Sequence, residues 1–212
     1  MTATGADPSL LAAWLTARSI ARELPPPVVD HSGLRVDTGQ PDEWVRWVFP
    51  AMSDGLILLG RSINAPACLL KYCGSDEDLR AVLPKRWAIG PLAYFMRGPG
   101  GASVTVLPEG CTIKRERAGA VSLVQIRCSR NNVVGSGYAA ENDDAFVYDR
   151  ITVLPAHRRM GIGTALMSEL GHARYAPDLP ELLVATAEGR KLYEALGWQV
   201  VSPYSTAFIP RS

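Results

Sequence analysis

The sequence has almost no surplus of charge of either sign. Lys and Arg number 22 and Asp and Glu 21 in 212 residues, for a net charge of +1. That balance weakens the case for a general nucleic-acid binder, which usually carries a strong basic excess, though it leaves room for one local basic site. Long apolar runs are also missing. None approaches the roughly 18 residues of a membrane-spanning helix. The opening MTATGADPSLL has no basic stretch leading into an apolar one, so no secretory signal is expected. Cysteine is scarce: Cys68, Cys73, Cys111 and Cys128 lie too far apart for a disulfide scaffold, and a reduced, cytoplasmic protein is the expectation. His31, His157 and His172 form no H-E-x-x-H and no metal-ligand spacing, so no metal site is expected. No repeat or low-complexity tract is present. What remains is an ordinary globular composition, 47% hydrophobic and 20% charged. The length suits one large domain or two small ones and can bury roughly 70% of the unfolded surface.

Along the chain, residues 9–23 read as an amphipathic helix with Leu10, Leu11, Trp14 and Leu15 at helical spacing and Ser9 as N-cap. Pro25, Pro26 and Pro27 stop it. Residues 33–37 suggest a strand, 42–49 one or two helical turns, 55–72 a pair of strands, and 76–83 a short helix with acids in its first turn. The stretch 87–96 reads as a buried strand or loop, and Arg97 to Gly101 (RGPGG) is the clearest internal boundary. The second half is plainer. Residues 111–118, 120–128, 133–140 and 145–153 alternate as four strands with tight turns. A helix follows from 162 to 174, then a strand at 182–185, a helix at 188–196 closed by Gly197, and strands at 198–201 and 204–209. The expected organisation is an N-terminal region over 1–100, packed on or extending a core over 101–212.

The segment Val153-Leu-Pro-Ala-His-Arg-Arg-Met-Gly-Ile-Gly-Thr-Ala-Leu166 carries most of the chemistry. A strand ends and a glycine-bearing turn opens a helix, whose first amides have no acceptor within it. Such a terminus can hold an anion. Arg158 and Arg159 add positive charge at the same end, Thr164 offers a hydroxyl, and Gly161 and Gly163 leave room for a close-fitting phosphate. The spacing G-x-x-x-x-G-K-S/T is absent, which argues against a nucleoside-triphosphate loop. The competing reading is a turn glycine, a packing glycine and a solvated pair of arginines.

These residues resemble the GNAT superfamily of acyl-CoA N-acyltransferases. Its R/Q-x-x-G-x-G/A signature matches Arg158-Arg-Met-Gly161-Ile-Gly163 after Val153-Leu-Pro155, and its L-Y-x-x-x-G-F/W matches Leu192-Tyr193-Glu-Ala-Leu-Gly197-Trp198. The resemblance covers about residues 111–212. It implies an α/β fold with a twisted, mixed central sheet of about six or seven strands flanked by helices, with the last strand central or at the C-terminal edge. It also implies acetyl-CoA as donor. The backbone of Ile151, Thr152 and Val153 would pair with the pantetheine arm beside a bulge, the amides of Arg159, Met160, Gly161, Ile162, Gly163 and Thr164 would wrap the pyrophosphate with Arg158, and the Val153 amide would polarise the thioester carbonyl. Tyr193 stands where the family often has the acid that protonates the thiolate. Where the family often has Asn and Ala, seven and four positions before that tyrosine, this chain has Thr186 and Gly189. Thr186 replaces one hydrogen bond at most, and Arg190 either reaches the cofactor phosphates or faces solvent.

The general base is less marked. Aligning back from Arg158 puts Val147 where some members carry a glutamate. Asp149, inside the fourth strand, is the candidate base or amine-binding group, with a structural ion pair as its alternative; Arg150 beside it is expected to point to the opposite face. No cysteine lies beyond Cys128, which favours direct attack by a primary amine in a ternary complex over an acyl-cysteine. The acceptor, a small molecule or peptide amine, would meet aromatic walls from Trp44, Trp47, Trp87, Tyr94, Phe95 and Tyr204. A non-catalytic acyl-CoA-binding sensor or scaffold is the alternative function. An interaction module using Lys114, Arg115 and Arg117 is a third, weakened by Glu116. No membrane partner is expected, and the chain is read as a monomer or homodimer.

Overall fold

The computed structural model describes residues 5–101, 104–128 and 131–211. Asp7 accepts a hydrogen bond from the Leu10 amide at 2.8 Å and caps α1 (Pro8–Ala21), with Pro8 in the first turn. The cap is thus Asp7 and not Ser9, because proline fits best just inside a helix start. A tight turn with His31 and Ser32 both at positive φ joins β1 (Val28–Asp30) to β2 (Gly33–Gln40).

Two expectations for the next stretch are corrected. Residues 42–49 are not helical turns but β3 (Glu43–Phe49), whose residues from Val45 to Phe49 are all buried. A strand between two neighbours buries both faces, so it shows no alternation. Residues 55–62 are not a strand but lie in α2 (Asp54–Ser62). Ser53 caps it, and Leu56, Leu59 and Gly60 face inward at helical spacing. Then come β4 (Cys68–Cys73), α3 (Asp76–Val82), β5 (Ala88–Ile89) and β6 (Ala93–Arg97).

The second half follows the expected grammar: β7 (Thr112–Ala118), β8 (Val121–Cys128), β9 (Asn132–Glu141), β10 (Phe146–Val153), a 3-10 turn (Pro155–His157), α4 (Ile162–Gly171), β11 (Glu181–Thr186) and α5 (Ala187–Ala195). The two strands expected at the end are one, β12 (Gln199–Phe208), irregular between Val200 and Ser202. The reading of a fully reduced chain is also corrected. The register Thr112↔Arg127 brings Cys111 and Cys128 to a Cα separation of 4.2 Å, and they form a disulfide. Cys68 and Cys73 are free.

All the strands join one mixed sheet, ordered β1-β2-β3-β4-β12-β6-β11-β10-β9-β8-β7, with β5 also on β12. It is larger than the six or seven strands expected, because the N-terminal region adds β1 to β4 to the same sheet. Of the two places expected for the last strand, β12 takes the central one, between β4 and β6. Leu11, Trp14 and Leu15 of α1 pack on Val48, Phe95, Val147, Leu182 and Tyr204. The residues of opposite parity, Phe146 and Tyr148, pack with Ile162, Leu166 and Leu170 of α4. Leu56, Leu59 and Leu79 of α2 and α3 cover Phe49, Leu70 and Tyr72. Among the described residues no helix is long and apolar enough to cross a membrane.

Candidate active site

β10 and β11 run parallel but pair at only two positions, Phe146↔Glu181 and Val147↔Leu182. The register of β10 against β9 slips between Asp149 and Thr152, and Arg150 within the slip takes φ +53°. A left-handed non-glycine residue is the mark of a bulge that bends its strand. Beyond it Ile151, Thr152 and Val153 have no ladder partner on the β11 side. The strands part there, and a cavity of about 250 Å³ opens, lined by Ile151, Ala185, Thr186 and Tyr193 and by Trp14 and Arg18 of α1.

At the foot of the parted strands the chain turns through Arg159 (φ +63°) and Gly161 (φ +81°) into α4. No side chain caps this helix. Its first backbone bond runs from the Ala165 amide to the Gly161 carbonyl at 2.9 Å, and among the described residues the six amides from Arg159 to Thr164 have no acceptor. A Cβ on Gly161 would meet nothing within 4 Å, so this loop borders open space. Gly163 has a different reason. A Cβ there would lie 2.8 Å from Leu192 Cδ2, so its bareness lets α5 approach α4. Gly135 on β9, which sequence reasoning passed over, does the same for the start of α4: its Cβ would meet Ile162 Cγ2 at 2.7 Å. Two glycines spaced by two within a strand, Gly135 and Gly137, were the available signal.

Arg158 donates to Glu188 Oε1 at 2.9 Å and lies along the Val153 carbonyl at 3.5 Å, so it bridges the turn to α5. Met160 and Thr164 are exposed. Thr186 accepts from the Gly189 amide at 3.1 Å as the N-cap of α5. Arg190 turns to Glu194 at 2.6 Å and covers the Tyr94 ring. Tyr193 is buried on the cavity wall with its ring 5.9 Å from that of Trp198. Its hydroxyl has no partner among the described residues, and burial pushes its pKa up to about 12.

Asp149 is almost fully buried, and both its oxygens accept from Arg22, at 2.6 Å from Nε and 2.8 Å from Nη2. Arg150 does not point to the opposite face. The bulge rotates it so that its Nε lies 3.4 Å from Asp149 Oδ2, its Nη2 donates to the Ala21 carbonyl, and its guanidinium stacks on Tyr138. Arg18 completes the group, its Nε 3.9 Å from Asp149 Oδ1. Trp14 and Arg18 of α1 and Arg22 at its C-cap recur at a spacing of four; sequence reasoning placed Trp14 on the helix's apolar face and passed over the two arginines. The aromatic walls expected from Trp44, Trp47, Trp87, Tyr94, Phe95 and Tyr204 are absent from this cavity. Trp44 is exposed, while Trp47, Trp87, Phe95 and Tyr204 are buried core residues. The aromatics that line the cavity are Trp14, Tyr148 and Tyr193.

The family model of the GNAT acetyltransferase domain matches residues 121–200. No curated protein matches the chain by sequence. Solved structures do match in fold. A GCN5-related N-acetyltransferase from Kribbella flavida aligns with TM-score 0.65 at 12% identity, covering 98% of this chain and 97% of its own. One from Sphaerobacter thermophilus aligns with TM-score 0.53 at 16% identity, covering 96% and 93%. A tandem GNAT protein from the clavulanic acid biosynthesis pathway aligns with TM-score 0.53 at 11% identity, covering 85% and 80%. Residues 121–200 therefore match the GNAT acetyltransferase domain, in a chain that has the GNAT fold.

Proposed function

We propose that the protein is an N-acetyltransferase, carrying an acetyl group from acetyl-CoA to a primary amine by direct attack. The observation that carries this reading is the run of six amides without acceptors, Arg159 to Thr164, at the foot of two parted parallel strands. The family match over residues 121–200 supports acyl transfer from an acyl-CoA; acetyl is taken over longer chains on frequency alone. The donor supplies an activated thioester. The open side of Gly161 fits a diphosphate held close to backbone, and the helix start favours its charge. Arg158 and Arg159 would add charge there, and the free edge of Ile151, Thr152 and Val153 would pair with the amide-bearing arm. The Val153 amide would polarise the carbonyl. As the amine nitrogen bonds to the acyl carbon and the carbon–sulfur bond breaks, Tyr193 would give its proton to the sulfur. Its raised pKa keeps it protonated across the physiological range. In this reading Asp149, gripped by Arg22, holds the arginines in place; the substrate ammonium gives up one proton to water before it attacks, and the proton the nitrogen sheds after attack passes through water and restores Tyr193.

The test is thiol release from acetyl-CoA over a panel of amines. Tyr193→Phe is expected to lower kcat by about 100-fold while leaving acetyl-CoA affinity within about twofold, since a general acid acts on the chemical step. Binding of acetyl-CoA with no thiol release for any amine would instead support a non-catalytic acyl-CoA sensor. One observation favours that second reading: Thr186, at the family's Asn position, uses its oxygen to cap α5.

A further inference from the structure

The acceptor side of the cleft holds more positive charge than its structure requires. Asp149 needs one cation, and Arg22 meets it on both oxygens. Arg150 is held by Asp149 and by the carbonyl of Ala21. Arg18 lines the same cavity with its side chain only 15% exposed, and among the described residues it donates no hydrogen bond. Its closest carboxylate oxygen is 3.9 Å away, and its contact with the Trp14 ring is a distant 5.6 Å. A guanidinium has five N–H donors in a fixed fork and cannot shed its charge. Burying one without an acceptor is costly unless a ligand supplies the anion.

The surroundings deepen that demand. Behind Arg18, Lys71 lies 3.9 Å from Glu43, and the same carboxylate pairs with buried Arg46 at 2.8 Å. With Arg18, Arg22 and Arg150, five cations face two carboxylates. Burial and the two helix arginines together push Lys71 down to about 8, and burial with Arg22 lowers Arg18 itself. Burial is the larger cause of both shifts, and the neighbouring arginines add to it.

We propose that the acceptor is a small amine that also carries a carboxylate, and that Arg18 receives that carboxylate as a bidentate partner. The inference rests on the acetyl-transfer reading and names its substrate class. The cavity of about 250 Å³ is below the roughly 300–1,000 Å³ of drug-sized ligand sites, which suits a molecule of amino-acid size. Arg18 and Tyr193 line the same cavity, so one small ligand can meet both. The fork matches a carboxylate in plane and spacing.

The experiment compares amines that differ only by the carboxylate: leucine with isopentylamine, phenylalanine with phenethylamine, lysine with cadaverine, and 4-aminobutyrate with propylamine. Turnover is followed as thiol release, and binding by Trp14 fluorescence with acetyl-CoA absent. In at least one pair the acid is expected to exceed its partner by 30-fold or more in kcat/KM. Arg18→Gln and Arg18→Met are expected to cut that ratio at least tenfold through KM, with Tm checked for each. Equal or better use of the plain amine in every pair overturns the proposal while acetyl transfer stands. So does preference for 2-aminoethyl phosphate over every carboxylate, or an Arg18→Gln loss shared equally by acid and amine. Carboxylates that quench Trp14 in wild type and not in Arg18→Gln, with no thiol released, sustain the anion site and overturn acetyl transfer. Carboxylates that neither bind nor turn over overturn the proposal.

Discussion

Lys71 stands on β4 with its side chain 14% exposed, and burial, helped by Arg18 and Arg22, pushes its pKa down to about 8. An unfolded chain would protonate it at the ordinary value near 10.5. The unfolded state therefore binds more protons between about pH 8 and 10.5, and stability rises with pH across that window. Below pH 8 the charged folded form carries a penalty on the order of 3 kcal/mol. Lys71→Met is expected to raise Tm clearly at pH 7 and hardly at all at pH 10.5, with Glu43 still paired to Arg46; thermal melts at the two pH values check it. At this scale the sequence was uneven. Tyr193 and the Arg158 to Thr164 run could be named from motif spacing. Arg18 and Arg22 could not, because only folding brings α1 to a carboxylate 127 residues away.

Elements show where periodicity helps and where it fails. β8 alternates strictly between half-buried and buried positions, because one face meets α4 and the other is more open, and it was legible at once. β3 is buried on both faces and α2 is a short apolar run, and each was read as the other's type. Short apolar runs do not distinguish helix from strand until neighbours decide. The same neighbours explain the glycines around α4. Gly135→Ala would drive a methyl into Ile162 and lift the first turn of α4 off β9. Acetyl-CoA affinity is expected to fall at least fivefold, with Tm lower by a few degrees, readable by calorimetric titration and melting. Gly39→Ala is the matched control. Its Cβ meets nothing within 4 Å, so it strains φ +63° without touching α4 and should leave acetyl-CoA affinity intact.

The whole molecule repeats one pattern with one difference. β3, α2 and β4 form a parallel pair with a helix between them, as β10, α4 and β11 do. The first pair has five rungs, Val45↔Cys68 to Phe49↔Tyr72, where the second has two. The first therefore has no parted strands, and its helix is capped by Ser53 where the second leaves amides open. The motif-bearing half also lacks a complete sheet of its own, since β6 lies between β11 and β12. A fragment of residues 101–212 is expected not to fold alone, because it leaves β11 and β12 with bare edges; circular dichroism and proteolysis would read this. Adding residues 1–100 in trans should restore structure and acetyl-CoA binding together. The domain motif was legible in sequence; this interleaving was not, because strand partners so far apart leave no local trace.

That exchange of strands sets how the chain can change over time. A crossover with a related protein at the linker after β6 would hand the incoming C-terminal half a foreign neighbour for both β11 and β12. Viable chimeras must then inherit β6 and β12 from the same parent, so the two halves evolve as a single unit even though one holds the chemistry.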